Sequence, residues 1–502
     1  MRSHQLSRAL PTVLAALTVM SAFSPLVSRC AAQAATSAAA QTPALTGPAA
    51  RMSPEVAQFI SVPDSVVALV GVTIVDGTGS APRSGQTVII RGGRIAEVGP
   101  AASVSVPSGA RRMELAGHTV MPGIVGMHDH LFYTAAGGRA AQMMFTGPRL
   151  YLASGVTTIR TTGGRSPYAE INTRAMIDSG RVPGPRIHLT APYLTGDIGG
   201  GAGSMAQVGS PEAARRFVGY WAQEGATWIK IYTDIRRAEL GAAIDEAHKR
   251  GIKVTGHLCS VTFQEAVDLG IDNLEHGLLT ATDFDSEKHP DKCPGNSVVR
   301  TGKANASVPA WQPTIKKMVD RKVGMTSTLA VFEQFFQKRP VSDARSLEMM
   351  SPAVRDAYVQ YRAGVEGAKD YPLTAEMLRN SMAFEKAFAD AGGLLAAGVD
   401  PTGVGGALPG FGDQRNYELL VEAGFTPAQT VQIMTLNGAR ILGVSDRLGS
   451  VERGKTADLV VLAGDLTTDP AVIRRVTTVF KDGIGYDSPK MLAAVKGRVG
   501  ID

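Results

Sequence analysis

Between residues 123 and 439 the sequence alternates short apolar runs with longer amphipathic stretches, which is the pattern of parallel strands joined by helices. The candidate strands are IVGMH (124 to 128), VTTIR (156 to 160), RIHLT (186 to 190), TWIKI (227 to 231), KVTGH (253 to 257), DNLEH (272 to 276), GMTSTL (324 to 329) and LLAAGVD (394 to 400). Intervening stretches such as PEAARRFVGYWAQEG and AELGAAIDEAHKRG carry apolar residues at helical spacing. Eight such units predict an α/β fold of the (β/α)8, or TIM, barrel type over 123–439. The flanks read differently. Strand-like runs separated by Gly and Asp occupy 61–122 and 440–490, and two short β regions at opposite ends most simply join into one small β-sandwich domain.

The first 34 residues have the charged start, apolar middle and small-residue end of a secretory signal, with cleavage expected after Ala34. Residues 35–60 read as a flexible leader rich in Ala, Thr and Pro. A periplasmic or secreted protein follows, with no stable membrane span after cleavage. Loss of Arg2, Arg8 and Arg29 lowers the formal charge from +6 to +3, a balance too mild to argue for nucleic acid as a partner. Composition leaves homo-oligomerisation open. Cys259 and Cys293 remain in the mature chain, too few for a disulfide framework, and their spacing leaves open whether they are bonded.

The predicted C-terminal strand ends carry the chemistry, as barrel architecture requires. His128 and His130 lie on one face of the first strand, about 6.6 Å apart along the backbone, close enough to share a metal ion. His257 ends the fifth strand, His276 the sixth and Asp400 the eighth, and Lys230 lies within the fourth. A lone His-x-His is a weak signal. Its weight here comes from five predicted strands each delivering a ligand-type group at the same end. His118, His188 and His248 have no such company and read as structural or surface residues. Lys230 alternates with Ile229 and Ile231, which places an ammonium group where desolvation is costly.

MPGIVGMHDHL, GATWIKIYTD, GIKVTGH, IDNLEHG, AAGVDP and FTPAQTVQIMTLNGARILGVSDRLGSVERGKTADLVVL together resemble the amidohydrolase superfamily, in its imidazolonepropionase-like and metal-dependent dipeptidase (prolidase-like) branch. The resemblance runs from about residue 66 to 485. It implies that His128, His130 and Asp400 hold one divalent ion and that His257 and His276 hold a second. It also implies that Lys230, carboxylated by CO2, bridges the two ions. Burial favours that reaction, because it lowers the amine pKa and supplies the neutral nucleophile. Zinc suits the histidine content best, with manganese and cobalt compatible. Asp400 would then act as general base and general acid toward a small-molecule substrate.

The implied reaction is hydrolysis of an amide or peptide-like bond, as in dipeptidases, carboxypeptidases or N-acyl amino acid amidohydrolases, ochratoxin-type amides included. A mononuclear deaminase or a cyclic-amide or lactone hydrolase is the enzymatic alternative. A catalytically silent binding relative is the alternative outside enzymes. Tyr232, on the inward face beside the lysine, divides evenly between substrate contact and packing. Asp129, Glu275 and Cys259 read as structural or supporting groups. Two departures from the family stand out. APYLTGDIGGGAG lacks a histidine often found after the third strand, and residues 281–309 look like an insertion overhanging the barrel mouth.

Overall fold

The computed structural model describes residues 47–138, 140–197, 205–304 and 308–501, so the proposed signal sequence lies outside the described residues. Parallel strands occur in two segments. Val156–Thr161 lies between Ile124–Asp129 and Arg186–His188. In the other segment Thr190–Gly196, Trp228–Ile231, Lys253–Gly256, Asn273–Glu275, Gly324–Ser327 and Leu395–Ala397 pair in that order, with Ala206–Val208 beside the first of them.

The expected RIHLT strand is therefore divided at Leu189. Its carbonyl accepts a hydrogen bond from the Thr227 amide at 2.8 Å, while the Thr190 amide is taken by Thr161 Oγ1 at 3.1 Å. The chain thus changes neighbours within one run of apolar residues, a switch that periodicity does not reveal. Beyond Leu395–Ala397, the Gly398 amide bonds to Ser327 O at 3.0 Å and the Asp400 amide to His128 O at 2.7 Å. Arg160 of the smaller segment stacks 4.6 Å over Trp228 of the larger one.

Strand alternation sorts the side chains as the sequence predicts. Ile229, Ile231, Val254 and Leu274 enter one apolar cluster with the helix residues Val218, Ile244 and Phe263. Lys230, Thr255 and Glu275 are buried outside that cluster, in contact or charge interaction with one another.

The two chain ends build a nine-stranded sheet among the described residues. Its centre pairs Leu459–Ala463 antiparallel with His118–Pro122, residues far apart in sequence. Its strands form one continuous hydrogen-bonded sheet. Val67, Leu69, Val88, Ile90, Leu459 and Phe480 share one apolar cluster, so the sheet curves over its own inner face. Gly123, the hinge into Ile124–Asp129, passes so close to Thr157 that a Cβ there would lie 2.1 Å from Thr157 Oγ1, and only glycine fits.

One further expectation changes and one open question is answered. The described part of the 35–60 leader is folded: Pro54–Ala57 is helical, Ile60–Val62 pairs with Ile484–Asp487, and Ala49, Val56 and Phe59 are buried. Those three apolar side chains give an otherwise bland stretch a place in the core. Cys259 and Cys293 form a disulfide, with Cα atoms 4.9 Å apart. No helix among the described residues is long and apolar enough to cross a membrane.

Candidate metal centre

His128 and His130 reach the same space, their ring centroids 5.4 Å apart. Each is oriented through Nδ1: His128 donates to Glu275 Oε2 at 2.7 Å and His130 to the Gly163 carbonyl at 3.0 Å. Their Nε2 atoms then lie 3.5 and 3.3 Å from Asp400 Oδ2 and Oδ1. His276 repeats the pattern, with Nδ1 bonded to Thr328 Oγ1 at 2.7 Å and Nε2 buried without a partner. A histidine that commits one nitrogen to the protein and leaves the other free is arranged as a metal ligand. His257 stands beside it, its ring 4.4 Å from that of His276. Atoms of His128, His276 and Asp400 all fall within 4.8 Å of one another and could hold an ion.

The sequence placed His276 and Asp400 at the ends of regular strands, whereas both occupy left-handed turns just beyond them, with φ of 72° and 48°. The turn at Asp400 is fixed by its amide bond to His128 and by the Thr402 hydroxyl, which donates to Oδ1 at 2.7 Å. Such strained backbone persists where surrounding contacts over-determine it.

Lys230 is buried, and its Nζ has no hydrogen-bond partner. Burial lowers its pKa to about 8, against the opposing charges of Glu275 and Asp400. A buried amine close to neutrality and a buried, unpartnered imidazole nitrogen fit a site completed by cations and a carbamate. The imidazoles are also in the correct state. Burial, followed by the charge of Lys230, holds His257 down to about 3 and His128 well below the usual range. His276 is held down by burial and by the neighbouring His257 and His128. All three stay neutral at physiological pH, as metal ligation requires. Burial pushes the Asp400 carboxyl up, but His128, His130 and Thr402 outweigh it and keep the group ionised.

Glu275, read from sequence as a structural or supporting group, is the anchor of the site. Besides orienting His128, it accepts from Arg160, Thr255 and Asn273, all buried. Burial opposes its ionisation, yet the charges of Arg160 and Lys230 keep its pKa below the ordinary value. Asp129 takes the Val399 amide at 3.2 Å, and burial together with Asp413 pushes its carboxyl upward, so it supports the strand end from behind.

Tyr232 stands between Tyr193 and His257, at ring distances of 5.3 and 5.0 Å. Tyr193 itself arises from the segment noted for its missing histidine, and its hydroxyl lies 3.3 Å from His130 Nε2. Arg165 went unnoticed in the sequence, where an arginine after two glycines carries no signal. Its guanidinium lies 5.0 Å over Phe132, makes no hydrogen bond or ion pair among the described residues, and acts electrostatically on both Tyr193 and Tyr232.

The amidohydrolase family model matches residues 119–485, most of the chain. An imidazolonepropionase from Clostridium tetani is 29% identical over 120 residues, which cover 22% of this chain and 27% of the relative, so the chain matches about a quarter of that protein's length. A Bifidobacterium longum structure assigned as a prolidase superposes with a TM-score of 0.59 at 25% identity, covering 86% of this chain and 99% of the other. A Xaa-Pro dipeptidase structure with methionine bound in its active site superposes at 0.63 and 22% identity, covering 84% and 100%, a likeness of fold. Motif order, overall architecture and the convergence of histidines with Asp400 agree with the family match: the chain is a member of the amidohydrolase family.

Proposed function

We propose that this protein is a hydrolase that uses two divalent cations, first of all zinc, to cleave amide or peptide-like bonds in small carboxylated substrates. The two parallel segments then act as one (β/α)8 barrel over 123–439, closed through Asp400 and His128 on one side and through the divided third strand on the other. Residues 61–122 and 440–490 form the accompanying β domain. The observation that carries the reading is the pair of buried atoms without partners, Lys230 Nζ and His276 Nε2, within a set of neutral imidazoles and an ionised carboxylate.

His128, His130 and Asp400 would hold one ion, His257 and His276 the other, with carboxylated Lys230 between them. Cations held there would supply Lewis acidity toward the scissile carbonyl and lower the pKa of a bound water to about 7. Asp400 takes the proton from the attacking water and returns it to the leaving nitrogen. Thr402 fixes the carboxylate for that role. Tyr193 and Tyr232 line the approach, and Arg165 supplies the one unpaired guanidinium at this face among the described residues, suited to a substrate carboxylate. The Cys259–Cys293 bond fits an oxidising compartment, in keeping with a periplasmic or secreted protein.

The test is metal analysis of purified protein together with turnover of dipeptide and N-acyl amino acid libraries. Near two ions per chain and release of free amino acids are expected. One observation favours a second reading: His128, His276 and Asp400, drawn from both proposed ion sites, are the trio whose ligand atoms already cluster. One ion per chain, with turnover only of cyclic amides or deamination substrates, would establish that mononuclear alternative. Arg165→Gln is expected to raise KM about tenfold or more for substrates with a free carboxylate and to leave their amidated counterparts nearly unaffected.

A further inference from the structure

A cavity of about 510 Å³ opens directly beside the metal centre, with His257 and Thr233 at its inner end. Its other walls are mainly apolar: Leu279, Val298, Phe332, Phe335 and Leu373 contribute side chains. The Phe332 ring lies 5.4 Å from that of His276, so wall and metal centre are continuous. The threonines that reach the wall are already committed. Thr280 donates to Glu275 O at 2.8 Å and Thr282 to Cys259 O at 3.0 Å, so Asn296 and Ser297 are the polar groups that remain on the wall. The volume suits a small-molecule group, and an open apolar space beside a reactive centre is the ordinary form of a specificity pocket.

One wall comes from the segment that the sequence marked as an insertion. Val298 stands on the Ser297–Lys303 helix, and Cys293 just before it is bonded to Cys259, two residues past His257. Arg300 clasps Asp285 at 2.6 and 3.1 Å, and Arg237 clasps Asp291 at 3.1 and 3.0 Å. These ties hold the wall in place, so the cavity is preformed. Ring neighbours lead from Phe132 through Tyr193, Tyr232 and His257 to His276 and Phe332, with Arg165 over Phe132 and Phe332 in the cavity wall.

We propose that this cavity receives the acyl-side group of the substrate and selects a bulky apolar one, a ring or a branched chain, while the leaving amino acid directs its carboxylate toward Arg165. This rests on the amide-hydrolase reading above and narrows its substrate to N-acyl amino acids with large apolar acyl groups.

The experiment compares N-acetyl-alanine with N-phenylacetyl-alanine on metal-replete full-length protein, and measures binding of 4-phenylbutyrate by calorimetry. Wild type is expected to favour the phenylacetyl substrate in kcat/KM by on the order of 100-fold. In Val298→Asp and Phe335→Ala that ratio is expected to collapse toward 1, and phenylbutyrate binding to weaken at least about tenfold, with metal content retained. A wild-type ratio near 1, or a ratio and a binding constant unchanged in both variants, overturns the pocket. Turnover of neither substrate, with phenylbutyrate binding that is lost in the variants, overturns the amide-hydrolase reading and leaves the pocket standing.

Discussion

The metal centre and the wall beside it treat charge in opposite ways. In the wall, Arg300 pairs with Asp285, Arg237 with Asp291 and Lys288 with the Ser260 carbonyl. In the centre, Lys230 Nζ and His276 Nε2 are buried with no partner. Leaving polar atoms unsatisfied costs about 1 to 3 kcal/mol each, more when charged, and a fold tolerates this where a ligand completes the set. The charged groups of the wall are therefore tied down by its own chain. The centre is structure finished by something bound.

That contrast can be tested from its strongest expected effect downward. Asp400→Asn removes the proton carrier and is expected to reduce kcat by about 10²- to 10⁴-fold in single-turnover assays, while the melting temperature of the metal-loaded protein stays high. A kcat within tenfold of wild type would remove Asp400 from the chemistry.

Glu275→Gln strands Arg160 in the interior. It is expected to cost about 3 to 5 kcal/mol in denaturant unfolding, and loss of the His128 partner to weaken metal affinity about 10- to 100-fold by chelator competition. Cys293→Ser tests the wall. Opening a loop of 34 residues is expected to destabilise by about 2 to 4 kcal/mol, with no change in metal content. If bound metal were lost as well, wall and centre would be one unit and the contrast would fail.

The smallest expected effect is on pH. His257 in the metal-free fold titrates at about 3, against about 6.5 in an unfolded chain. Within that window the unfolded chain binds a proton that the fold refuses, so stability rises with pH. Metal-free protein should thus lose stability as the pH falls from about 6.5 toward 3, and His257→Gln should flatten the profile in thermal melts. A profile that is equally steep in the variant would assign the loss to other groups.

Much of the centre was legible because its residues sit at period-two positions or at the ends of apolar runs, where local pattern and chemistry coincide. His128, His276 and Asp400 bring ligand atoms within 4.8 Å of one another, with His130 and His257 as ring neighbours. The partners of Glu275 were not legible, because they are His128, 147 residues away, and Arg160, 115 residues away. Arg165 was invisible for the same reason: a guanidinium becomes a recognition group only when no carboxylate reaches it. The leader was misread because composition reports mean polarity, whereas Ala49, Val56 and Phe59 needed only a vacancy in the core.

The sequence by itself determined the order of strands and helices, the faces of Lys230 and of the His128–His130 pair, and the family to which those motifs belong. Those properties are local, set by alternation and spacing along a few residues. Only the tertiary structure decided that the third strand divides at Leu189, that Cys259 meets Cys293, that Glu275 anchors the site, and that an apolar cavity adjoins His257. Each of those depends on which distant groups meet, and that is settled by packing and burial across the whole chain rather than by any stretch of it.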